Sequence, residues 1–262
     1  MNVKPIGIFD SGVGGTSIWR EIHALMPHED TIYLADSKNA PYGQRSREEI
    51  IKLSVKNTEL LLKKGCKLIV VACNTATTNA ISHLRQKYDV PFIGIEPAIK
   101  PAALNSGTGT VGVLATRGTL SSSLFLKTSK DHAGEINIVE REGAGLVPLI
   151  EAGKLNSSET RQLLIGYIKP MLEANMDHIV LGCTHYPYLI PVLREILPPH
   201  VNIIDCGAAV ARQTQAVLKK SNLQNPKKSP GDIQFFTNSD IEIITSFLED
   251  DDNLKQISYL DF

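Results

Sequence analysis

The chain has 262 residues, enough for one large domain or two of ordinary size, and a 42% hydrophobic content allows a buried core. A net charge of −1 argues against a protein that binds nucleic acid by neutralising many phosphates, and it gives no support for membrane-surface binding. No apolar run is long enough to span a bilayer and no signal peptide is recognisable, so we expect a cytoplasmic protein.

Short apolar runs alternate with helical patterns along the chain. The predicted strands are Ile6–Phe9, Thr31–Ala35, Leu68–Ala72, Phe92–Ile95, Thr110–Leu114, Ile136–Val139, His178–Leu181 and Val201–Ile204. Most are rich in Val and Ile, which is typical of parallel strands buried on both faces. Ser46 and Glu49 predict a capping box, and Gly65 predicts the end of the helix between them. The alternation predicts an α/β fold with parallel sheets and right-handed crossovers.

The sequence also repeats itself internally. The matching blocks are Leu68–Ile81 with His178–Pro191, Pro5–Gly15 with Thr110–Leu120, and Pro91–Ala98 with Val201–Ala209. Three blocks in the same order predict two related α/β halves with hinges near Pro97 and Gly207. We expect residues 1–97 plus 208–262 to form the domain that carries Cys73, and residues 98–207 to form the domain that carries Cys183.

Four cysteines occur, and their spacing fits neither a disulfide framework nor the C-x2-C pairs of structural zinc sites. Cys73 and Cys183 each follow a strand and precede a predicted helix, at the sheet edge where α/β proteins bind ligands. This position predicts a thiol pKa below the free value of about 8.5. Cys66 precedes its strand and Cys206 lacks polar residues after it, so we interpret both as buried apolar residues.

Two equivalent thiols indicate a particular chemistry. Inversion of an α-carbon needs one group to remove a proton on one face and a second group to return a proton on the other face. Polar residues follow each thiol and can present hydroxyl and backbone N–H groups to an anion at a helix N-terminus. They are Asn74 and Thr75 after Cys73, and Thr184 and His185 after Cys183. His185 can hold a thiol proton, although a solvent-facing histidine is also compatible with this position.

The glycine-rich segment Asp10–Gly15 follows the first strand. It lacks the full G-x-G-x-x-G pattern of a dinucleotide site, so we interpret it as a cradle for a phosphate or carboxylate, with a tight turn as the alternative. Asp10 could accept a substrate amino group or orient a thiol. A loop with Pro41, Tyr42 and Gly43 follows the second strand, at the same predicted edge.

Four blocks together resemble the signature blocks of the glutamate racemases, in family order. They are FDSGVGG at Phe9–Gly15, PYG at Pro41–Gly43, ACNTA at Ala72–Ala76 and GCTHYP at Gly182–Pro187. The resemblance extends from Pro5 to about Lys220. The two Cys blocks alone also fit aspartate and hydantoin racemases, and the other two blocks favour glutamate.

The resemblance implies two pseudo-symmetric three-layer α/β/α domains with mainly parallel sheets and the active site in the cleft between them. It implies that Cys73 acts on D-glutamate with help from Asp10, and that Cys183 acts on L-glutamate with help from His185, near which Glu151 would lie. The residues it implies as substrate-binding are Asp10, Ser11, Tyr42, Gly43, Asn74, Thr75, Thr184 and His185. It implies a homodimer that supplies D-glutamate for peptidoglycan without pyridoxal phosphate, metal or nucleotide.

Three alternatives stay open at this point. The chain could be a racemase of the same superfamily that acts on aspartate or another amino acid. It could be a non-catalytic module of two α/β lobes that closes on an anion. It could also be a dinucleotide-dependent enzyme, against which the incomplete glycine pattern counts.

Overall fold

A computed structural model of the protein describes residues 3–132, 136–248 and 256–262. The strands are β1 Ile6–Asp10, β2 Thr31–Ala35, β3 Leu68–Val71, β4 Phe92–Ile93, β5 Thr110–Ala115, β6 Asn137–Glu142, β7 His178–Gly182, β8 Asn202–Ile204, β9 Ile233–Thr237 and β10 Gln256–Tyr259. The helices are α1 Thr16–Leu25, α2 Arg47–Lys63, α3 Asn74–Lys87, α4 Ile99–Asn105, α5 Arg117–Leu120, α6 Ser123–His132, α7 Leu146–Glu151, α8 Ser158–Glu173, α9 Ile190–Ile196, α10 Gly207–Lys220 and α11 Ile241–Ser246.

The strands form two sheets in which every pairing is parallel. The first has six strands in the order β10-β9-β2-β1-β3-β4, and the second has four in the order β6-β5-β7-β8. We call the first sheet with α1–α3, α10 and α11 the large lobe, and the second sheet with α4–α9 the small lobe. The predicted α/β fold with parallel sheets is confirmed.

The order of the strands reproduces the internal repeat of the sequence. The series β2-β1-β3-β4 of the large lobe corresponds strand by strand to β6-β5-β7-β8 of the small lobe. Cys73 therefore follows the same strand of its sheet as Cys183 does. The carboxyl ends of the two sheets present equivalent positions, which is what the repeat predicts.

Local signals set the helix ends as predicted. Ser46 and Glu49 form a reciprocal capping box at the start of α2. Gly65 follows the end of α2 with φ +82°, a conformation that glycine adopts without a steric cost. The strand interiors are apolar and fully buried in β1, β3 and β7, as continuous Val and Ile runs require.

Apolar packing joins the two lobes as well as the two layers within each lobe. One hydrophobic cluster includes Trp19 and Phe235 of the large lobe together with Leu181 and Leu193 of the small lobe. The rings of Trp19 and Phe235 pack edge to face, with centroids 4.8 Å apart and planes at 76°. Within the described residues, no helix has the length and apolar character that a membrane span requires.

Asp177, before β7, anchors the loop that leads into β5. Ser106 Oγ donates to its Oδ1 at 2.7 Å, and the Gly107 N–H donates to its Oδ2 at 2.6 Å. Burial opposes ionisation of Asp177, but hydrogen bonds from His178, Ser106 and the backbone outweigh it and hold the pKa of the carboxyl well below its usual range. A depressed pKa stabilises the fold above the unfolded value of about 3.9, and that contribution is lost as the pH falls below it.

We therefore expect Asp177→Asn to lower the free energy of unfolding by about 1–3 kcal/mol at pH 7 and by less at acidic pH. Urea unfolding at pH 7 and pH 3.5 checks this, with the exposed Asp89→Asn as control. An equal loss at both pH values would show that the carboxylate charge does not carry the effect.

Candidate active site

Cys73 lies between β3 and α3 and is the N-cap residue of α3. Its Sγ accepts a hydrogen bond from the Ala76 N–H at 3.5 Å and donates to Ser11 Oγ at 3.7 Å. The thiol is almost fully buried. The strand end and the helix start thus hold the sulfur at the carboxyl edge of the large-lobe sheet.

Cys183 lies directly after β7, at the matching edge of the small lobe. A turn and a 3-10 helix at Tyr186–Leu189 follow it, instead of an α-helix that starts at once. Pro187 lies in this 3-10 turn and Pro191 lies in the first turn of α9. The Cys183 sulfur lies 3.7 Å from Nδ1 of His185. The neighbour of this thiol is therefore an imidazole.

The two thiols line the same cavity between the lobes. Its walls are formed by Ser11, Pro41, Tyr42, Gly43, Cys73, Asn74, Thr75, Thr116, Val147, Cys183, Thr184 and His185. The cavity has a volume of only about 10 Å³, so the lobes are closed on each other. The structure brings together all of the residues predicted from the sequence except Asp10, and it adds Pro41, Thr116 and Val147.

Asn74 is the polar residue of the cavity that the protein itself leaves unsatisfied. It is buried, and neither its side-chain nitrogen nor its side-chain oxygen has a hydrogen-bond partner in the described structure. Buried amide groups are nearly always hydrogen-bonded, because an unpaired one costs about 1–3 kcal/mol. A ligand with both donors and acceptors would satisfy Asn74.

Asp10 lies behind the cavity wall instead of on it. Its carboxylate accepts hydrogen bonds from the Ser11 N–H at 2.7 Å, the Gly15 N–H at 2.5 Å and Thr184 Oγ1 at 3.2 Å. It also lies close enough to Cys73 for a hydrogen bond with the thiol to affect its ionisation. Of the two roles considered for Asp10, this position favours orienting the thiol over binding an amino group.

Glu151 and His185 form an ion pair at the other end of the site. His185 Nε2 lies 2.5 Å from Glu151 Oε1, while Nδ1 of the same ring faces Cys183. The Val13 N–H of the large lobe donates to Glu151 Oε1 at 2.8 Å. The glycine-rich segment thus contacts a carboxylate of the chain itself, and its predicted role as a cradle for a ligand's phosphate or carboxylate stays a prediction.

Gly12 and Gly14 of this segment lie where no larger residue fits. A Cβ added at Gly12 would fall on the Glu151 carboxylate, and a Cβ added at Gly14 would fall on the His185 ring. Neither glycine has a positive φ, so backbone conformation is not the reason for their presence. The close approach of the two lobes at this point depends on the missing side chains.

Burial and charge set different protonation states for the two halves of the site. Burial raises the pKa of Cys73 well above its usual value, and the nearby Asp10 raises it further. Burial also raises the pKa of Asp10. The sequence-based prediction that the strand-end position lowers the pKa of the Cys73 thiol is therefore wrong: the helix N-terminus supplies one weak N–H donor, which burial outweighs.

His185 shows the opposite balance. Burial alone would lower its pKa, but hydrogen bonds to Cys183 and Glu151 raise it well above the usual value. The surroundings therefore favour the protonated thiol of Cys73 on the large lobe and the protonated imidazole of His185 on the small lobe.

Cys66 and Cys206 are buried, as predicted, and burial raises the pKa of both thiols to about 12. Neither lines the cavity between the lobes. Among the described residues, no group of three or more His, Cys, Asp or Glu side chains could hold a metal ion.

Thr116 is the residue that sequence reasoning missed although a signal was present. In the internal repeat, Pro5–Gly15 aligns with Thr110–Leu120, and Ser11 then corresponds to Thr116. In the structure Thr116 Oγ1 lies 2.8 Å from Thr75 Oγ1 across the cleft. Pro41 and Val147 contribute apolar side chains to the cavity wall. Pro41 belongs to the PYG block although it was not predicted to line the site, and no pattern in the sequence marks Val147.

The geometry defines a two-lobed α/β protein with paired thiols in its cleft, and comparison with known proteins gives the same class. Residues 14–214 match the family described as Asp/Glu/Hydantoin racemase. The chain belongs to this family.

Two curated relatives cover most of the chain. The glutamate racemase of Herpetosiphon aurantiacus is 50% identical over 240 residues, which cover 92% of this chain and 94% of the relative. The glutamate racemase of Pseudomonas syringae pv. tomato is 50% identical over 220 residues, which cover 84% of this chain and 80% of the relative.

Solved structures show the same fold over the full length. Glutamate racemase isoform RacE1 from Bacillus anthracis superposes with a TM-score of 0.89 at 26% identity, covering 100% of this chain and 99% of that one. Escherichia coli glutamate racemase, solved with L-glutamate and the activator UDP-MurNAc-Ala, superposes with a TM-score of 0.86 at 34% identity and covers 98% of both chains.

Proposed function

We propose that the chain is a cofactor-independent racemase that interconverts L-glutamate and D-glutamate. The observation that carries the proposal is that Cys73 and Cys183, from equivalent positions of two lobes, line one cavity. Relatives at 50% identity over most of the chain bear the name glutamate racemase, and this supports glutamate over aspartate as the substrate.

The two thiols divide the proton transfers. With L-glutamate, the Cys183 thiolate takes the Cα proton and the Cys73 thiol gives a proton to the opposite face of Cα. With D-glutamate the roles reverse, so each turnover leaves the total number of protons on enzyme and substrate unchanged. The raised pKa of Cys73 favours the protonated thiol that the first of these directions requires.

Each thiol has its own proton partner. Asp10 lies beside Cys73, and His185 lies beside Cys183 with Glu151 behind it. Asn74, Ser11 and the threonines of the cavity wall bind the polar groups of the substrate, and the unsatisfied amide of Asn74 supports this role.

The proposal extends to the assignment of domains and to the setting of the enzyme. Residues 1–97 plus 208–262 would form one domain and residues 98–207 the other, moving about the connections near Pro97 and Gly207. The enzyme would act in the cytoplasm as a homodimer and supply D-glutamate for peptidoglycan in cell-wall synthesis.

The test is incubation of the purified protein with L-glutamate, L-aspartate or L-glutamine, followed by chiral chromatography. We expect D-glutamate to form, and we expect this activity to survive chelators and extensive dialysis. A cavity that pairs with the distal carboxylate discriminates against a ligand that lacks it, because buried donors are then left unpaired. Faster turnover of aspartate, or dependence on added pyridoxal phosphate or a divalent ion, would contradict the proposal.

The proposed roles of Asp10 beside Cys73 and of His185 beside Cys183 lead to a further expected result. Asp10→Asn and His185→Asn should each lower turnover by about 10²–10⁴-fold, the usual contribution of a general acid or base. The two kcat/KM values must fall together, because enantiomers have equal free energies. The kcat values should fall unequally, with Asp10→Asn and His185→Asn favouring opposite directions. Progress curves from pure L- and pure D-glutamate measure this, and equal loss of kcat in both directions for both variants would remove the basis for assigning one partner to each thiol.

A further inference from the structure

Ser37 of the large lobe contacts Glu151 of the small lobe across the cleft. It lies two residues after the end of β2 and begins a 3-10 turn at Ser37–Asn39, before the loop that carries Tyr42. Its Oγ donates to Glu151 Oε2 at 3.0 Å. The other oxygen of the same carboxylate accepts from the Val13 N–H and pairs with His185. The large lobe therefore holds both oxygens of Glu151.

The position of Glu151 makes such donors necessary. It is the last residue of α7, where the partial negative charge of the helix end disfavours a carboxylate. The carboxylate is mostly buried, with 15% of the side chain exposed, so water supplies little compensation. Donors from the large lobe offset this cost and fix the orientation of the carboxyl group.

We propose that Ser37 is a positioning residue that holds Glu151 so that His185 is aligned on the Cys183 sulfur only when the two lobes are closed. This proposal rests on the glutamate racemase activity proposed above and deepens it. Ser37 does not line the cavity, and it acts on the reaction through Glu151 and His185.

The two thiols differ in how they are supported, and this gives Ser37 a selective effect. Asp10, Ser11 and Ala76, which surround Cys73, all belong to the large lobe with Cys73 itself. The support of Cys183 runs through His185 and Glu151 to Val13 and Ser37, which lie on the opposite lobe. Separation of the lobes therefore breaks both contacts that hold Glu151, whereas Asp10 beside Cys73 loses only the hydrogen bond from Thr184 Oγ1 and keeps those within the large lobe.

Such separation has to occur in each turnover. A cavity of about 10 Å³ has room for about one water molecule at most, and glutamate does not fit. The lobes must part to admit the substrate and close again around it. The contact between Ser37 and Glu151 thus breaks and reforms, and it couples closure to the alignment of His185.

The first test needs no substrate. The His185 imidazole is followed by nitrogen NMR through a pH titration of protein labelled with [15N]histidine, with His185→Asn used to assign its signals. The variants are Ser37→Ala, the conservative Ser37→Thr, and the matched control Ser239→Ala, a serine in the turn after β9 of the same lobe. We expect Ser37→Ala to lower the pKa of His185, Ser37→Thr to retain it and Ser239→Ala to leave it unchanged. An unchanged His185 titration in Ser37→Ala overturns the proposal.

The second test separates positioning from general loosening. Primary deuterium isotope effects are measured with L- and D-glutamate deuterated at Cα. In Ser37→Ala we expect kcat to fall by about 10- to 100-fold, the size of a lost hydrogen bond to a charged group. The isotope effect should rise for L-glutamate relative to D-glutamate, because the transfer to Cys183 becomes slower, and Ser37→Thr should restore the wild-type values.

The outcomes of the two tests are distinguishable. An unchanged ratio of the two isotope effects in an active Ser37→Ala variant overturns the proposal for Ser37. A wild-type protein that does not racemise glutamate overturns the proposed function instead, and the NMR titration then still decides whether Ser37 positions His185.

Discussion

Replacing either Cys73 or Cys183 by Ala is expected to reduce racemase activity by at least about 10²–10⁴-fold, because each direction of the reaction needs both thiols. One thiol cannot reach both faces of Cα, and the two sulfurs come from opposite walls of a closed cavity. Chiral chromatography of glutamate after incubation with each variant measures the loss. Full activity in Cys183→Ala would end the two-thiol mechanism.

The matched controls are Cys66→Ala and Cys206→Ala. Both thiols are about as buried as Cys73 and Cys183, but they lie outside the wall of the cavity that those two residues line. We expect a small change in stability, on the order of 1 kcal/mol, and an intact relay of protons.

Heavy water gives an independent readout of the same mechanism. The proton that the product receives comes from the opposite thiol, which exchanges with solvent. Deuterium should therefore appear at Cα of the product enantiomer, while recovered substrate carries little label early in the reaction. Equal early labelling of substrate and product would indicate one base that serves both faces.

The second large effect is expected at the glycines that let the lobes close. Gly12→Ala and Gly14→Ala should each lower kcat/KM by about 10²-fold or more, since a misplacement of about 1 Å at the reacting groups has that cost. The added Cβ would fall on Glu151 or on His185, so the lobes could relieve the clash only by moving apart. Steady-state kinetics and thermal unfolding of the same samples measure activity and fold together.

Gly166→Ala is the matched control for this prediction. Gly166 lies inside α8, and a Cβ added there meets nothing within 4 Å. Alanine should stabilise this helix by about 0.5–1 kcal/mol and leave turnover unchanged. Wild-type turnover in Gly14→Ala would show that closure at this point does not limit the reaction.

The sequence predicted those parts of the fold that rest on continuous apolar runs. The first eight strands were predicted within a few residues, because most carry continuous apolar runs, as the fully buried strands β1, β3, β5 and β7 do. The two C-terminal strands, β9 and β10, were not predicted. β9 alternates buried and half-buried residues and contains Gln234, and β10 lies at the edge of its sheet with exposed ends. Their signals are weaker because β9 has only one fully buried face and β10 has none.

The sequence predicted which residue types line the site. It did not predict the properties that depend on how distant parts of the chain surround those residues. The Cys pair and its polar flanks were found from spacing and from family resemblance. The raised pKa of Cys73 was not predicted, because burial by side chains distant in sequence raises it more than the N–H group at the start of the helix lowers it. Val13 and Ser37 of one lobe donate hydrogen bonds to Glu151 of the other lobe, and no pattern in the sequence around these residues predicts those hydrogen bonds.

The place of β9 in the large sheet has a consequence for how the chain folds. β9 pairs with β2 in a register that joins Thr31 to Ile233, so the whole small lobe is synthesised between the two partners. Until β9 leaves the ribosome, β2 presents an open edge of unpaired backbone groups, which is a template for wrong pairing. Contacts of such long sequence separation also form slowly, because the intervening loop must close first. The large lobe, although it begins the chain, is therefore completed last, and the small lobe can fold before it.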